Sequence, residues 1–469
     1  MIKILTALCS LIIFLSAEIF AGIYHVSPLG NASWADAANI ATPCSWQAAM
    51  AYAVAGDTVY FRGGDYDPGN GPGFGVPAMN PANSGTAGNP IIFMGYPGET
   101  AVIHESSGTD ISGSEPSIGG YNRDYIVWDG FTLIRDKETG YGASSIVNFD
   151  MCNNCVVRNC DIGGVTPHMD HTNGVLISVL NSRYVYIYNN RLHDMAGASN
   201  PVESPVNTGA MWIFDYDHIY VYNNDMYNLR NGVQMKDRPD YVYIYNNHIW
   251  NCSGWAINAI HQDSVSDTDV IIYQNIIRDC GVALNSTDPA TPLLYNIRFY
   301  NNTVYNSSIS GTLAILGKPG YYPHRNSEIF NNIIYNASDD NHGLVTYYNI
   351  IPEQMPSYAD YNVYFGGGHW DLNTSDAGAA VYNNLAEWRV ATNLDINSII
   401  SNPLFVNPGG TDPLDYRLQP GSPAMIGRGG AYPPVAGTFI TGNEVIGSTL
   451  SGTPSDTAAP APPAALRAQ

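Results

Sequence analysis

Charge is scarce in this chain, and positive charge is scarcer still. Only 13% of the 469 residues are charged, and 19 basic residues stand against 41 acidic ones, a net charge of -22. No basic stripe offsets this balance, so a nucleic-acid surface is excluded, because phosphate would be repelled. Long apolar runs are missing beyond the N-terminus, which excludes a multi-span membrane protein. A leucine framework and a 3.6-residue apolar period are also absent, which excludes leucine-rich and all-helical repeats. There is no phosphate-binding loop, nucleophile elbow or HExxH pair. What is abundant excludes disorder: 45% hydrophobic residues and 12% aromatic ones, with 33 Tyr. The 46 Gly and the many Asn pairs favour strands and turns over helices.

Lys3 precedes an apolar stretch, Ile4 to Phe14, that ends in small residues. This reads as a signal peptide, residues 1–21, with an uncleaved anchor as the alternative. Its removal takes away Lys3 and Glu18, so the charge balance is unchanged. The expected location is secreted or periplasmic, without stable membrane insertion. Cysteine is sparse: seven residues, one of them (Cys9) in the leader. Cys152 and Cys155 form a CxxC pair, Cys160 follows, and Cys252 and Cys280 follow equivalent Asn residues of neighbouring repeats. No second ligand pair stands at zinc-site spacing, which leaves stacked buried thiols or a disulfide.

One pattern recurs along the chain: alternating apolar and polar residues, an Asn or Asp, a branched residue and a polar turn. Its key positions are 129, 159, 189, 223, 246, 275, 301 and 331, at intervals of 23 to 34 residues. Such a period with short strands marks a solenoid. Each repeat holds a second strand that begins at a small residue, as in Gly174–Ile177, Gly232–Met235, Gly254–Ile257 and Gly281–Leu284. The fold class expected is all-β: a right-handed parallel β-helix solenoid with a short N-terminal capping helix. The repeated Asn is expected to stack at one corner, its amide satisfying backbone groups that the bend leaves unpaired.

Ser45–Trp46–Gln47–Ala48–Ala49, followed by Ala55 to Tyr60 and Gly64–Asp65–Tyr66, resembles the opening of the pectate-lyase-like right-handed β-helix superfamily. The resemblance implies a helix capping the open end, with Thr58 to Phe61 starting the first coil. Asn402 to Phe405 and Asp415 to Pro423 are similar to the closing segment of secreted members. The boundaries expected are 22–90 for the cap and first coils, 91–365 for the β-helix and 366–448 for the closing segment. An Ala/Pro-rich flexible tail, 449–469, ends the chain. A self-capped solenoid has no built-in need to associate, so a monomer is expected.

Alternate residues of a strand share a face. With Val233 and Met235 inward, Gln234 and Lys236 point outward. The same logic sends Trp212 and Phe214 outward one coil earlier, and Asn258 and Asn285 in later coils. Stacking places Phe214, Lys236, Asn258 and Asn285 in one expected row, with Trp212 and Gln234 beside it. Aromatic rings pack on the C–H faces of sugars and amides read their hydroxyls, so this row suits a polysaccharide partner. Asn231 to Lys236 resembles the strand of β-helix pectate lyases that carries a lysine base. That likeness implies β-elimination on a uronic-acid polysaccharide of pectate or alginate type, with Lys236 as base and Arg238 and His261 in nearby loops. It also implies calcium, for which Asp170, Asp194 and Asp215 from successive coils are the candidate ligands. The acidic pair that those lyases carry before Gly–Trp is missing here, where the sequence reads Cys252–Ser253–Gly254–Trp255. A hydrolase with paired Asp and a non-catalytic glycan-binding protein remain the alternatives.

Overall fold

A computed structural model describes residues 21–69, 71–73, 75–105, 116–135, 144–164, 174–195, 208–260, 269–287, 296–307, 313–316, 327–336, 343–350, 355–374, 378–428 and 437–438. Residues 1–20 of the leader and the 449–469 tail lie outside them. None of the helices among the described residues is long and apolar enough to cross a membrane.

The chain winds into a parallel β-solenoid, as the repeat predicts. Each coil visits three faces in turn. Gly174–Leu180 belongs to the first face, Arg183–Tyr188 to the second and Arg191–Met195 to the third. Strands of each face pair in parallel with their equivalents one coil away. Inward positions repeat as apolar rows. On the first face the row runs Val147, Ile177, Met211, Val233, Ile257 and Leu284. On the third it includes Ile162, Leu192, Met226, Ile249 and Ile277. All of these are fully buried. Each such side chain contributes roughly 1.5–3 kcal/mol relative to exposure.

Two strands depart from the pattern. Gly209–Tyr222 and Asn231–Tyr245 run unbroken across the first and second faces. They pair with each other along their lengths, with one register shift between Phe214 and Tyr216.

The corner between the second and third faces holds the expected asparagine ladder, displaced by one residue. The buried rungs are Asn190, Asn224, Asn247, Asn275, Asn302, Asn332 and Asn362, each fully buried. The Oδ1 of each later rung accepts the backbone N–H of the rung before it, at 3.0 Å from Asn190 to Asn332. Of the expected positions only Asn275 is a rung. Asn189, Asn223, Asn246, Asn301 and Asn331 precede a rung, Asn159 precedes Cys160, and all six carry positive φ near 55°, while Asp129 precedes Gly130. Asn tolerates this left-handed backbone better than most residues. These residues also pair across coils, for example Asn159 Nδ2 to Asp129 Oδ1 at 2.7 Å.

Helix α1, Trp46–Tyr52, buries Ala49 and Met50, and the Ser45 hydroxyl accepts the Ala48 N–H as its cap. A second helix, α2, Leu385–Thr392, buries Leu385 and Trp388 against Tyr347 and Tyr382. Part of the segment likened to a closing piece lies along the flank of the solenoid. Phe405, Tyr416 and Ala424 pack on Ile276, Ile333 and Val363, outward residues of the third face. The Arg428 N–H then donates to Asn331 Oδ1, and Thr438 N–H to Thr303 Oγ1. The apolar side chains of that flank explain the placement: they need a cover, and this segment supplies it.

Cys44, Cys152, Cys155, Cys160, Cys252 and Cys280 are buried free thiols. Of the two alternatives left by the sequence, stacked buried thiols are the ones found. Tyrosines of the second face form stacked columns, among them Tyr186–Tyr220–Tyr243 with ring centroids 4.8 and 5.0 Å apart.

Candidate functional site

Lys236 leaves the first face between Met235, which is in the core, and the chain's turn toward the second face. Its strand neighbour one coil earlier is Phe214. The Lys236 Nζ lies 5.8 Å from the Phe214 ring centroid and 5.8 Å from that of Trp212. The two rings meet edge to face, 5.5 Å apart. The three side chains therefore gather on the outer side of the first face, as the alternation predicts. Phe214 and Lys236 are half-buried.

The rows differ from expectation beyond this trio. Gln234 pairs with Asn258 and Asn258 with Asn285, so both asparagines belong to the Trp212–Gln234 row. Lys236 is aligned with Ile260. The cause is local. Ser253 and Gly254 belong to the corner, where their N–H groups donate to Leu229 and Arg230 carbonyls. The strand starts only at Trp255, whose N–H donates to Asn231 Oδ1 at 3.0 Å. Gly254 is thus not the counterpart of Gly232.

The row is also more enclosed than expected. Gln234 and Asn258 are fully buried, Asn285 is 2% exposed and Trp212 7%. Asn285 Nδ2 donates to Asn258 Oδ1 at 2.7 Å. The Trp212 Nε1 and Asn258 Nδ2 donors are buried with no acceptor. Upstream the same row continues as Asn148 and Ser178, joined by a 2.5 Å hydrogen bond.

Of the calcium ligands expected from the sequence, the two that are described, Asp194 and Asp215, do not converge. Asp170 lies outside the described residues, as does His261. Asp194 ends a third-face strand, with Oδ1 accepting from Asn228 and Oδ2 engaged by His193. Asp215 is exposed at the corner after Phe214, with φ 45°. Register places the strand 209–214 between them, about 20 Å at ~3.3 Å per residue. Both are corner residues in the left-handed region, where Asp is favoured for backbone reasons. Among the described residues no group of three His, Cys, Asp or Glu is placed to hold a metal ion. For Arg238 the structure describes the backbone alone, within Asn231–Tyr245.

A second polar cluster, which the sequence reading missed, sits on the third face. His193 Nε2 contacts Asp161 Oδ1 at 2.9 Å, and Nδ1 contacts Asp194 Oδ2 at 2.7 Å. Its ring stacks on Tyr227, which stacks on Trp250. Burial opposes the charged imidazole, but hydrogen bonds to both carboxylates outweigh it and hold the His193 pKa above the usual range. His193 lies one coil from Tyr227 in strict register, so the repeat itself was the signal for this cluster.

No family model matches the chain, and no curated protein matches it. Among solved structures it is similar to pectate lyase Pel9A, at 14% identity and TM-score 0.47 over 89% of this chain and 96% of that one. It is similar to the GH136 lacto-N-biosidase from Eubacterium ramulus, at 12% identity and TM-score 0.44 over 74% and 65%. A rhamnogalacturonan lyase is similar at 15% identity and TM-score 0.43 over 81% and 87%.

Proposed function

We propose that this chain is an exported enzyme that cleaves a uronic-acid polysaccharide by β-elimination, with Lys236 as the base. The observation that carries the reading is the grouping of a lysine with two aromatic rings on the outer side of one solenoid face. Aromatic rings offer apolar area for sugar C–H surfaces, and the amine lies within their reach. The neutral amine takes the proton alpha to the uronate carboxylate. The electrons of that C–H bond form the new double bond, and the bond to the leaving sugar oxygen breaks. A lysine base works only as the free amine, so the rate rises with pH.

Asp194 and Asp215 do not come together to hold calcium, and no step is routed through a metal. The test is direct. Purified protein is incubated with pectate, alginate and neutral glycans. New ultraviolet absorbance from an unsaturated uronate is expected. Lys236→Ala should lower turnover by more than about 10²-fold, the scale of a lost general base, with an unchanged circular dichroism spectrum. Reducing ends without that absorbance would mean a hydrolase, and full turnover by the variant would remove Lys236 from the mechanism.

A further inference from the structure

We infer that Trp212 and Asn258 form a carboxylate-binding subsite, which receives the uronate through neutral N–H donors of the chain itself. The inference rests on the lyase reading and names how that site would recognise its substrate class.

Two donors with no acceptor stand in one outward row. Trp212 Nε1 and Asn258 Nδ2 are buried and unpartnered, in residues that are 7% and 0% exposed. Gln234, fully buried, occupies the strand between them. A buried donor left without an acceptor keeps its full desolvation penalty, so such a group is retained where something else bonds to it. The Trp212 and Asn258 atoms are donors, so their natural complement is an acceptor, while the Gln234 carboxamide between them presents an acceptor as well as a donor. The Asn258 carbonyl oxygen is already used by Asn285, which turns the Asn258 amide outward as a donor.

Charge points the same way. The chain carries -22 overall, yet the outward positions around these donors are Trp212, Phe214, Gln234, Lys236 and Asn258, without a carboxylate. The acidic positions nearest in sequence, 215 and 237, follow where the chain leaves the face. A patch of indole and amide groups with one lysine and no carboxylate, in an acidic protein, is a local site for an anion. Hydrogen bonds to a carboxylate are charge-assisted and about twice as strong as neutral ones. In the elimination, the carboxylate takes up charge as the alpha proton leaves. Donors held against it therefore stabilise the transition state more than the ground state, which is what catalysis requires.

The test compares trigalacturonate with its methyl ester, using wild type, Trp212→Phe and Asn258→Ala. The Phe variant keeps a ring and removes the N–H. Binding is read by calorimetry, and the Trp212 indole N–H resonance is followed by NMR, so neither readout needs turnover. The acid should bind at least tenfold tighter than the ester and move the indole resonance. In each variant the preference should fall to threefold or less. If the acid is bound and cleaved while both variants keep the full preference, the subsite is elsewhere and the lyase reading stands. An ester that binds as tightly as the acid also overturns the subsite alone. If no uronate is bound or cleaved by wild type, the lyase reading falls, and the subsite falls with it.

Discussion

Asn247 makes four hydrogen bonds with one amide. Its Nδ2 donates to Val221 O and Asn275 Oδ1, and its Oδ1 accepts from the backbone and side chain of Asn224. Leucine has a similar size and none of these groups. Asn247→Leu should therefore destabilise the protein by roughly 2–4 kcal/mol, because backbone groups at a buried corner lose their partners. The shift is measurable as a lower urea midpoint. His193 gives a second residue-scale prediction. Its folded pKa is raised, so the stability it contributes is complete below the unfolded value of about 6.5. That contribution is lost as pH rises through the folded pKa. For its partner Asp161, burial pushes the pKa up, but the His193 hydrogen bond and charge pull it below the usual range overall. The aspartate contribution is therefore present above about 3.9 and is lost as pH falls through the folded value. Thermal midpoints of wild type and His193→Gln should differ most between about pH 4 and 6.5 and converge at alkaline pH. A difference that is constant with pH would contradict the charged-pair account.

At the scale of elements, the strand-and-corner repeat was readable because every coil reuses one pattern of inward residues and Asn corners. The exact rung was not. In Tyr222–Asn223–Asn224 two asparagines stand together, and nothing local says which one turns inward. Gln274–Asn275 and Tyr361–Asn362 do say so, since only one Asn is present and it is the rung. Counting outward from those two coils would have set the register of the others. Lys236, Trp212 and Phe214 were legible because alternation holds within and between the two long strands. The row of Asn258 is not legible from its glycine, because Gly254 belongs to a corner while Gly232 lies within a strand. Asp194 and Asp215 stand apart for a related reason: corner acids look like ligands in sequence, but their left-handed backbone already accounts for them. The flank segment makes a further prediction. Tyr416 is fully buried among Phe405, Tyr305 and the outward aliphatic residues of the third face. Tyr416→Ala should cost about 3–5 kcal/mol, as for other large aromatic truncations. Increased dye binding to the exposed flank would accompany the lower midpoint.

For the molecule as a whole, a net charge of -22 opposes a polyanionic substrate. The repulsion is screened over about 30 Å at 0.01 M salt and about 8 Å at 0.15 M. KM for a polyuronate should therefore fall as salt rises across that range, with kcat nearly constant. A KM that rises with salt would point instead to attraction between the substrate and a local basic surface.

The unbroken passage of residues 209–222 and 231–245 across two faces has a consequence for how this scaffold can change. Neighbouring coils reach the first face through the connections 165–173 and 196–207, or leave it through 261–268 and 288–295. Extra residues inserted there need not disturb any rung. Between Gly209 and Tyr245 there is only the short turn at Asn223–Asn224 and the strand Asp225–Leu229 to absorb one. A single insertion there would slide Lys236 out of register with Phe214. Diversification of this protein is thus free to proceed around the lysine, while the lysine's own turn of chain is held to a fixed length.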